Sequence, residues 1–299
     1  NLQSAAASGM KKVGVVNQML GEKKGLVILV NFSDKTFLSS HDNETFNNMY
    51  NLEGYNENGH IGSLHDYFLD QSYGKLNLAF DVIGPVTLSK KMSYYGSNDS
   101  FGNDAHAYEM VIEACQQIDD EVNFADYDWN GDGVVEQVFV VYAGYGENYA
   151  GSPSYTVWPH EWDLESASGS TLQLDDVTIN VYACAAELCG SSGTAMNGIG
   201  CSAHEFSHCL GYPDFYDTTY SGGIGMSKFD VLCSGSYGGP QNRGEVPCGF
   251  TAYERWMAGW LEPIELEHPD DIKDMPALND EPVAYIIYNK DNRDEYMML

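Results

Sequence analysis

Positive charge is the scarcest ingredient of this chain: 14 lysines and arginines stand against 44 aspartates and glutamates, a formal net charge of -30 at pH 7. A surface of that sign repels nucleic acid and anionic lipid, so neither is expected as a partner. Long apolar runs are lacking too. The best, Gly25-Leu-Val-Ile-Leu-Val-Asn-Phe32, falls far short of the ~20 residues a membrane-spanning helix needs and suits a buried strand. No internal repeat and no leader of the charged-then-apolar type is visible, and the chain opens on Asn1. Residues 1–24, small, polar and locally basic, read as a linker or processed segment. Seven cysteines, an odd count, neither establish nor exclude a disulfide framework; Cys184 and Cys189 are the one local pair that could bridge. What is present suffices for a core: 43% hydrophobic and 13% aromatic residues over 299 positions.

Hydrophobic periodicity supplies the elements. Gly25–Phe32 reads as a central strand and 39–60 as a long polar surface excursion. Leu64, Tyr67, Phe68 and Leu69 give helical spacing within 61–73, and Leu76, Leu78, Phe80 and Val82 alternate as a half-buried strand. Tyr108, Val111, Ile112 and Cys115 mark a second helix, Val135–Ala143 a strand, 144–154 a glycine-rich rim loop, and 177–185 a strand. A helix is expected over 248–260, an acidic linker over 265–281, and a β-hairpin about 289–293 near the end. The pattern is an α+β (α/β) fold, a twisted mixed sheet packed on helices with a small C-terminal β segment. Its expected divisions are 1–24, a main domain over 25–262, and 263–299, the last read as the start of a further β domain.

The chemistry concentrates in Gly198-Ile-Gly-Cys-Ser-Ala-His204-Glu205-Phe-Ser-His208-Cys-Leu-Gly211-Tyr-Pro-Asp214. On a helix, His204 and His208 project from one face, one turn apart, at a separation that one zinc ion can span. Glu205 is rotated off that line and placed to take a proton from a metal-activated water. Gly211 ends the helix in a left-handed turn, Pro213 prevents its resumption, and the returning chain brings Asp214 up as third ligand with one position left open. Glu254, on the downstream helix, is the rival third ligand. Thiolate ligation by Cys201, Cys209 or Cys233 is the weaker alternative to buried thiols that pack like alanine.

With Trp158-Pro159-His160 before it and Tyr216-Asp217 and Ser234-Gly235-Ser236 after it, this stretch resembles the secreted zinc metallopeptidases related to immune inhibitor A, over about Gly25 to Trp260. The resemblance implies a zincin-like fold, endopeptidase activity on protein or peptide substrates, and one catalytic zinc. It also implies export from the cell, to the medium or to a bacterial surface, and an inhibitory propeptide upstream. A monomer is expected. In a zincin the strand at 177–185 borders the cleft and adds the substrate to the sheet edge, and Glu187 matches an acidic position common in such relatives. Leu232 departs from the pattern, since relatives commonly carry Met there. The alternative is a catalytically silent binding or adhesion module on the same scaffold, against which the intact Glu205 argues.

A second cation is expected at Asp126-Tyr-Asp128-Trp-Asn130-Gly-Asp132-Gly-Val134-Val-Glu136. Oxygen-bearing side chains at 128, 130 and 132, a carbonyl at Val134 and a carboxylate at Glu136, with Asp126 nearby, form the start of an EF-hand-like calcium loop. Phe139 stands where the bidentate glutamate would be and a strand follows, so a structural calcium loop is weighed against an ion-free turn. His160 and Tyr237 are substrate-cleft candidates, and together with Tyr253 the unranked candidates to stabilise an oxyanion.

Overall fold

Leu26, Ile28 and Val30 alternate with Val27 and Leu29, and a strand sends these two sets to opposite faces, so a run apolar at every position must be covered on both sides. A computed structural model, which describes residues 19–219, 221–268 and 271–299, meets that demand; of the segment expected over 1–24, residues 1–18 lie outside the described residues. In chain order the elements are β1 (Gly21–Asn31), α1 (Asn43–Asn51), α2 (Leu64–Gln71), β2 (Leu76–Thr87), α3 (Met92–Tyr95), α4 (Ala107–Ile118), β3 (Val134–Val135), β4 (Val138–Tyr145) and β5 (His160–Asp163). There follow α5 (Leu164–Ser168), β6 (Leu172–Leu174), β7 (Val177–Ile179), β8 (Val181–Leu188), α6 (Ile199–Cys209), α7 (Ala252–Met257), β9 (Ile264–Glu265), β10 (Tyr285–Tyr288) and β11 (Tyr296–Met298).

The main sheet has the order β2-β1-β4-β8-β5. Its first four strands are parallel, and β5 closes one edge antiparallel to β8. Val27 and Leu29 pack with Phe46 and Tyr50 of α1, Phe68 of α2, and Ala203 and Phe206 of α6. Leu26, Ile28 and Val30 pack with Met110, Val111 and Cys115 of α4 on the other face. Burying each such side chain contributes ~1.5–3 kcal/mol, and this two-sided core fixes α6 against the sheet. Among the described residues no helix is long and apolar enough to cross a membrane.

Several readings of the sequence change. The excursion over 39–60 carries α1, capped by Asp42, with Phe46, Met49 and Tyr50 buried on β2. The strand read over 135–143 divides at Glu136, whose N–H donates to Tyr127 O and whose carboxylate accepts from Trp129 N, so β3 leaves the main sheet to pair with β7. The strand read over 177–185 breaks at Asn180, which accepts from Leu164 N and Glu165 N at the start of α5. Its second part, β8, is interior: β5 lies outside it, with His160 opposite Cys184 and Asp163 opposite Val181, so the edge beside the cleft is β5. Finally, all seven cysteines are free thiols. Cys184 and the residue after the strand's end, Cys189, are separated along extended chain by roughly 16 Å, well beyond disulfide reach.

The helix read over 248–260 is confined to α7, which starts at the Thr251 cap. Arg255, buried on it, donates to Phe250 O, Gln71 Oε1, Leu278 O and Asn279 Oδ1, which ties the C-terminal segment to the domain. The hairpin about 289–293 is present as β10 and β11, with β9 alongside β10.

Candidate metal centre and active site

The α6 helix buries Ile199, Ala203 and Phe206 in the core and turns His204, Glu205 and His208 to a cavity of about 1050 Å³. It ends as its sequence dictates. Gly211 has φ +94°, a left-handed conformation that costs other residues Cβ strain, and Pro213 follows. The reversal brings Asp214 back beneath the two histidines, where Phe215 N–H donates to Leu232 O and holds the return in place.

The imidazoles are fixed by their outer nitrogens. His204 Nδ1 lies 2.7 Å from Val231 O and His208 Nδ1 lies 2.7 Å from Tyr212 O. A carbonyl can only accept, so both Nδ1 atoms carry the proton and both Nε2 atoms present lone pairs. Those lone pairs converge: Nε2 to Nε2 is 3.2 Å, and Asp214 Oδ1 is 3.3 Å from one and 3.1 Å from the other. Asp214 Oδ1 is buried and receives no hydrogen bond among the described residues. Three lone pairs facing one another repel unless a proton or a metal cation lies between them. A tetrahedral zinc site with bonds of about 2.0–2.1 Å has ligand-to-ligand edges of about 3.3–3.4 Å, and this triangle has that size. The donor set, two imidazoles and one carboxylate, suits zinc, and the group fits.

Charge at the triangle follows the same logic. Without a metal cation between the three atoms a proton takes its place: burial opposes a charge on His208, but the Asp214 and Glu205 carboxylates outweigh it and push it up to about 9, so a proton and a metal ion compete for the same Nε2 lone pair. Burial works against the Asp214 carboxylate too, but the two imidazoles hold it well below the usual range. Glu205 has a carboxylate oxygen within 4.8 Å of a ring nitrogen of each histidine. It is 8% exposed; burial raises it, while the imidazoles and the Glu161 backbone N–H pull it down.

The rival ligand goes elsewhere. Glu254 accepts from Thr251 N at 2.6 Å and Thr251 Oγ1 at 2.7 Å as the reciprocal half of the cap of α7, and burial and the neighbouring Asp230 carboxylate raise it. Asp230 in turn accepts from Leu232 N, in the turn whose Val231 carbonyl orients His204, so this buried pair supports the centre from below. Leu232 is fully buried there. Cys201 and Cys233 line the cavity as thiols that burial keeps protonated in the case of Cys201. Cys209 is likewise raised by burial.

His160 lines the cavity with both ring nitrogens engaged, Nδ1 with Trp158 O and Nε2 with Tyr182 OH, and burial lowers it. That is a structural neutral histidine. Tyr237 also lines the cavity, accepts from Asn148 Nδ2 at 3.2 Å, and is pushed up to about 12, mainly by burial, so it stays a neutral donor. Tyr253 packs edge-on against Phe215 and is not among the cavity-lining residues. Glu187 is a buried tie: it accepts from Leu38 N and Gly144 N and pairs with His41.

In the acidic loop Asp128 accepts from the N–H groups of Gly131, Asp132 and Gly133, Asn130 from Asp132, and Asp132 from Val134. Val134 opens β3. Glu136 Oε1 is buried with no donor, and burial with nearby Asp128 and Asp132 pushes Glu136 up to about 7. Asp126 faces outward toward Lys24.

Sequence reasoning passed over Glu161, which sits on β5 beside Glu205, and the carbonyls of Val231 and Tyr212. Glu161 reaches the site only through the long-range pairing of β5 with β8. No local pattern marks it. Backbone carbonyls carry no sequence signature at all.

The model of the immune inhibitor A peptidase M6 catalytic domain matches residues 15–261. Pre-pro-metalloprotease PrtV from two Vibrio cholerae serotype O1 strains is 28% identical over 305 residues, covering 85% of this chain and 31% of that protein. Immune inhibitor A of Bacillus thuringiensis subsp. alesti is 22% identical over 238 residues, covering 70% of this chain and 34% of that protein. The chain thus spans about a third of the length of these relatives. With the family's catalytic domain matched over 15–261, and a site of two imidazoles and a carboxylate at its centre, the chain belongs to the immune inhibitor A family of M6 metallopeptidases.

Proposed function

We propose that the chain is a zinc-dependent endopeptidase of zincin type, with His204, His208 and Asp214 as metal ligands and Glu205 as general base. One observation carries the reading: His204 Nε2, His208 Nε2 and Asp214 Oδ1 converge at 3.1–3.3 Å, the size of one face of a tetrahedral zinc site. Zinc held there would acidify a water to a pKa of about 7 and polarise the scissile carbonyl. Glu205, beside the triangle and turned to the cavity, takes the proton of the attacking water and delivers it to the departing amine. Tyr237 offers a neutral O–H toward the developing oxyanion. An extended substrate adds to the open edge of β5 by backbone hydrogen bonds, which suits internal peptide bonds.

The name pre-pro-metalloprotease of the Vibrio relative supports an exported enzyme made with a pro-segment. Calcium is proposed at Asp128, Asn130, Asp132, Val134 and Glu136, supported by the buried, donor-free Oε1 of Glu136. The test of function is cleavage of an unfolded protein such as casein by the purified chain. Activity should vanish with 1,10-phenanthroline and return with one equivalent of zinc; cleavage by verified metal-free protein would refute the proposal.

A further inference from the structure

The cavity wall contains a cation that the catalytic reading does not use. Arg243 is the one lysine or arginine among the described residues lining the cavity, whereas Glu161, Asp163, Glu205 and Asp214 line it with negative charge. Its backbone is held firmly. Arg243 O accepts from Gly198 N at 2.8 Å and Gly244 O from Gly200 N at 2.9 Å, which seats the loop on the first turn of α6, while Arg243 N donates to the buried Glu245. The seat is close enough that a Cβ on Gly198 would lie 2.3 Å from Gly244 C, and one on Gly200 only 1.9 Å from Ser236 O. The first turn of α6 lies one to two helical turns, roughly 5–10 Å, from His204 and Glu205.

The guanidinium is unmatched. Arg255 has four acceptors and Arg293 pairs with Glu265, but among the described residues no carboxylate forms an ion pair with Arg243. Its nitrogens are not among the buried unpartnered atoms, and the residue is half-buried where it lines the cavity, so its donors are left to solvent and to an incoming ligand. In a chain with 44 acidic residues, an arginine left without a carboxylate at this spot leaves its five donors for an incoming one.

We propose that Arg243 is a specificity-determining residue that binds a carboxylate of the substrate at a fixed position near the cleaved bond. The inference rests on the peptidase reading for the identity of the ligand, a peptide. A planar, bidentate guanidinium–carboxylate contact, partly withdrawn from water, favours glutamate over glutamine by about 10- to 100-fold. Without Arg243 the remaining charges of the wall favour the opposite order. The carboxylate could belong to an Asp or Glu side chain or to a peptide C-terminus.

The test begins with cleavage of a proteome-derived peptide library, read by mass spectrometry, which should enrich Asp and Glu at one position relative to the cut. Paired peptides with Glu or Gln at that position, each with free and amidated C-termini, then give kcat/KM ratios. The Glu:Gln ratio should be about 10–100 for the native chain, fall to about one or below in Arg243→Gln, survive in part in Arg243→Lys, and favour lysine peptides in Arg243→Glu. Amidation separates the sources: indifference to it assigns a side-chain carboxylate, and dependence on it a C-terminal one. No enrichment together with indifference to amidation, or equal loss on every peptide in Arg243→Gln, overturns the proposal. Binding of the same peptides to Glu205→Gln by calorimetry keeps the two readings apart. A chain that cleaves nothing yet binds the glutamate peptide, or the peptide with a free C-terminus, more tightly through Arg243 would refute the peptidase while supporting the carboxylate site, and equal binding of the Glu, Gln, free and amidated peptides would refute the site.

Discussion

Replacing Glu205 by glutamine isolates the proton-transfer role. The amide has nearly the volume of the carboxylate, so the side chain keeps its place at 8% exposure. What changes is that the atom facing the cavity can no longer accept a proton. General-base catalysis contributes about 100- to 10,000-fold, equivalent to about 2.7–5.5 kcal/mol of barrier, and kcat for a quenched fluorogenic peptide should fall by that factor. The triangle of His204, His208 and Asp214 is untouched, so zinc should remain at one equivalent by elemental analysis. In the metal-free protein burial disfavours the Glu205 carboxylate, so the neutral glutamine should leave the Tm at pH 7 equal or higher. Activity within tenfold of native would refute the assignment of the base, and loss of zinc together with activity would make Glu205 a ligand instead.

Three further outcomes test the scaffold. Gly200→Ala puts a Cβ 1.9 Å from Ser236 O, the loop must retreat, and a loss of ~1–3 kcal/mol should lower the Tm by several degrees in calorimetry. Asp104, pushed up to about 7 by burial, binds a proton in the fold that it releases on unfolding at pH 4–7, so its contribution to stability grows as pH falls through that window. Asp104→Asn, which keeps the bond from Trp158 N, should flatten the rise in Tm between pH 7 and pH 4, and an unchanged slope would contradict the burial argument. Millimolar calcium should raise the Tm of the native chain and not of Glu136→Gln; equal responses would remove calcium from that loop.

What was legible in the sequence was local. The four-residue spacing of His204 and His208, the stop at Gly211 and Pro213, and the return of Asp214 all lie within a dozen residues, where helix geometry converts spacing into position. Two further features were local and were passed over. Thr251-Ala-Tyr-Glu254 is a capping box, which turns Glu254 to the start of α7, and Phe46, Met49 and Tyr50 have the helical spacing that the surrounding asparagines of α1 concealed. Strand order was out of reach. Nothing in 160–163 states that it pairs outside β8, and so neither the cleft edge nor the place of Glu161 beside Glu205 could be read from the chain alone. The same holds for Arg243, whose seat on α6 depends on glycines some 45 positions away in sequence.

The most direct measurement is anomalous diffraction on either side of the zinc absorption edge from crystals of protein never exposed to chelator. A single peak bonded to His204 Nε2, His208 Nε2 and Asp214 Oδ1 at about 2.0–2.2 Å is the expected result. No transition-metal peak there, in protein that also takes up no zinc on titration, would contradict it.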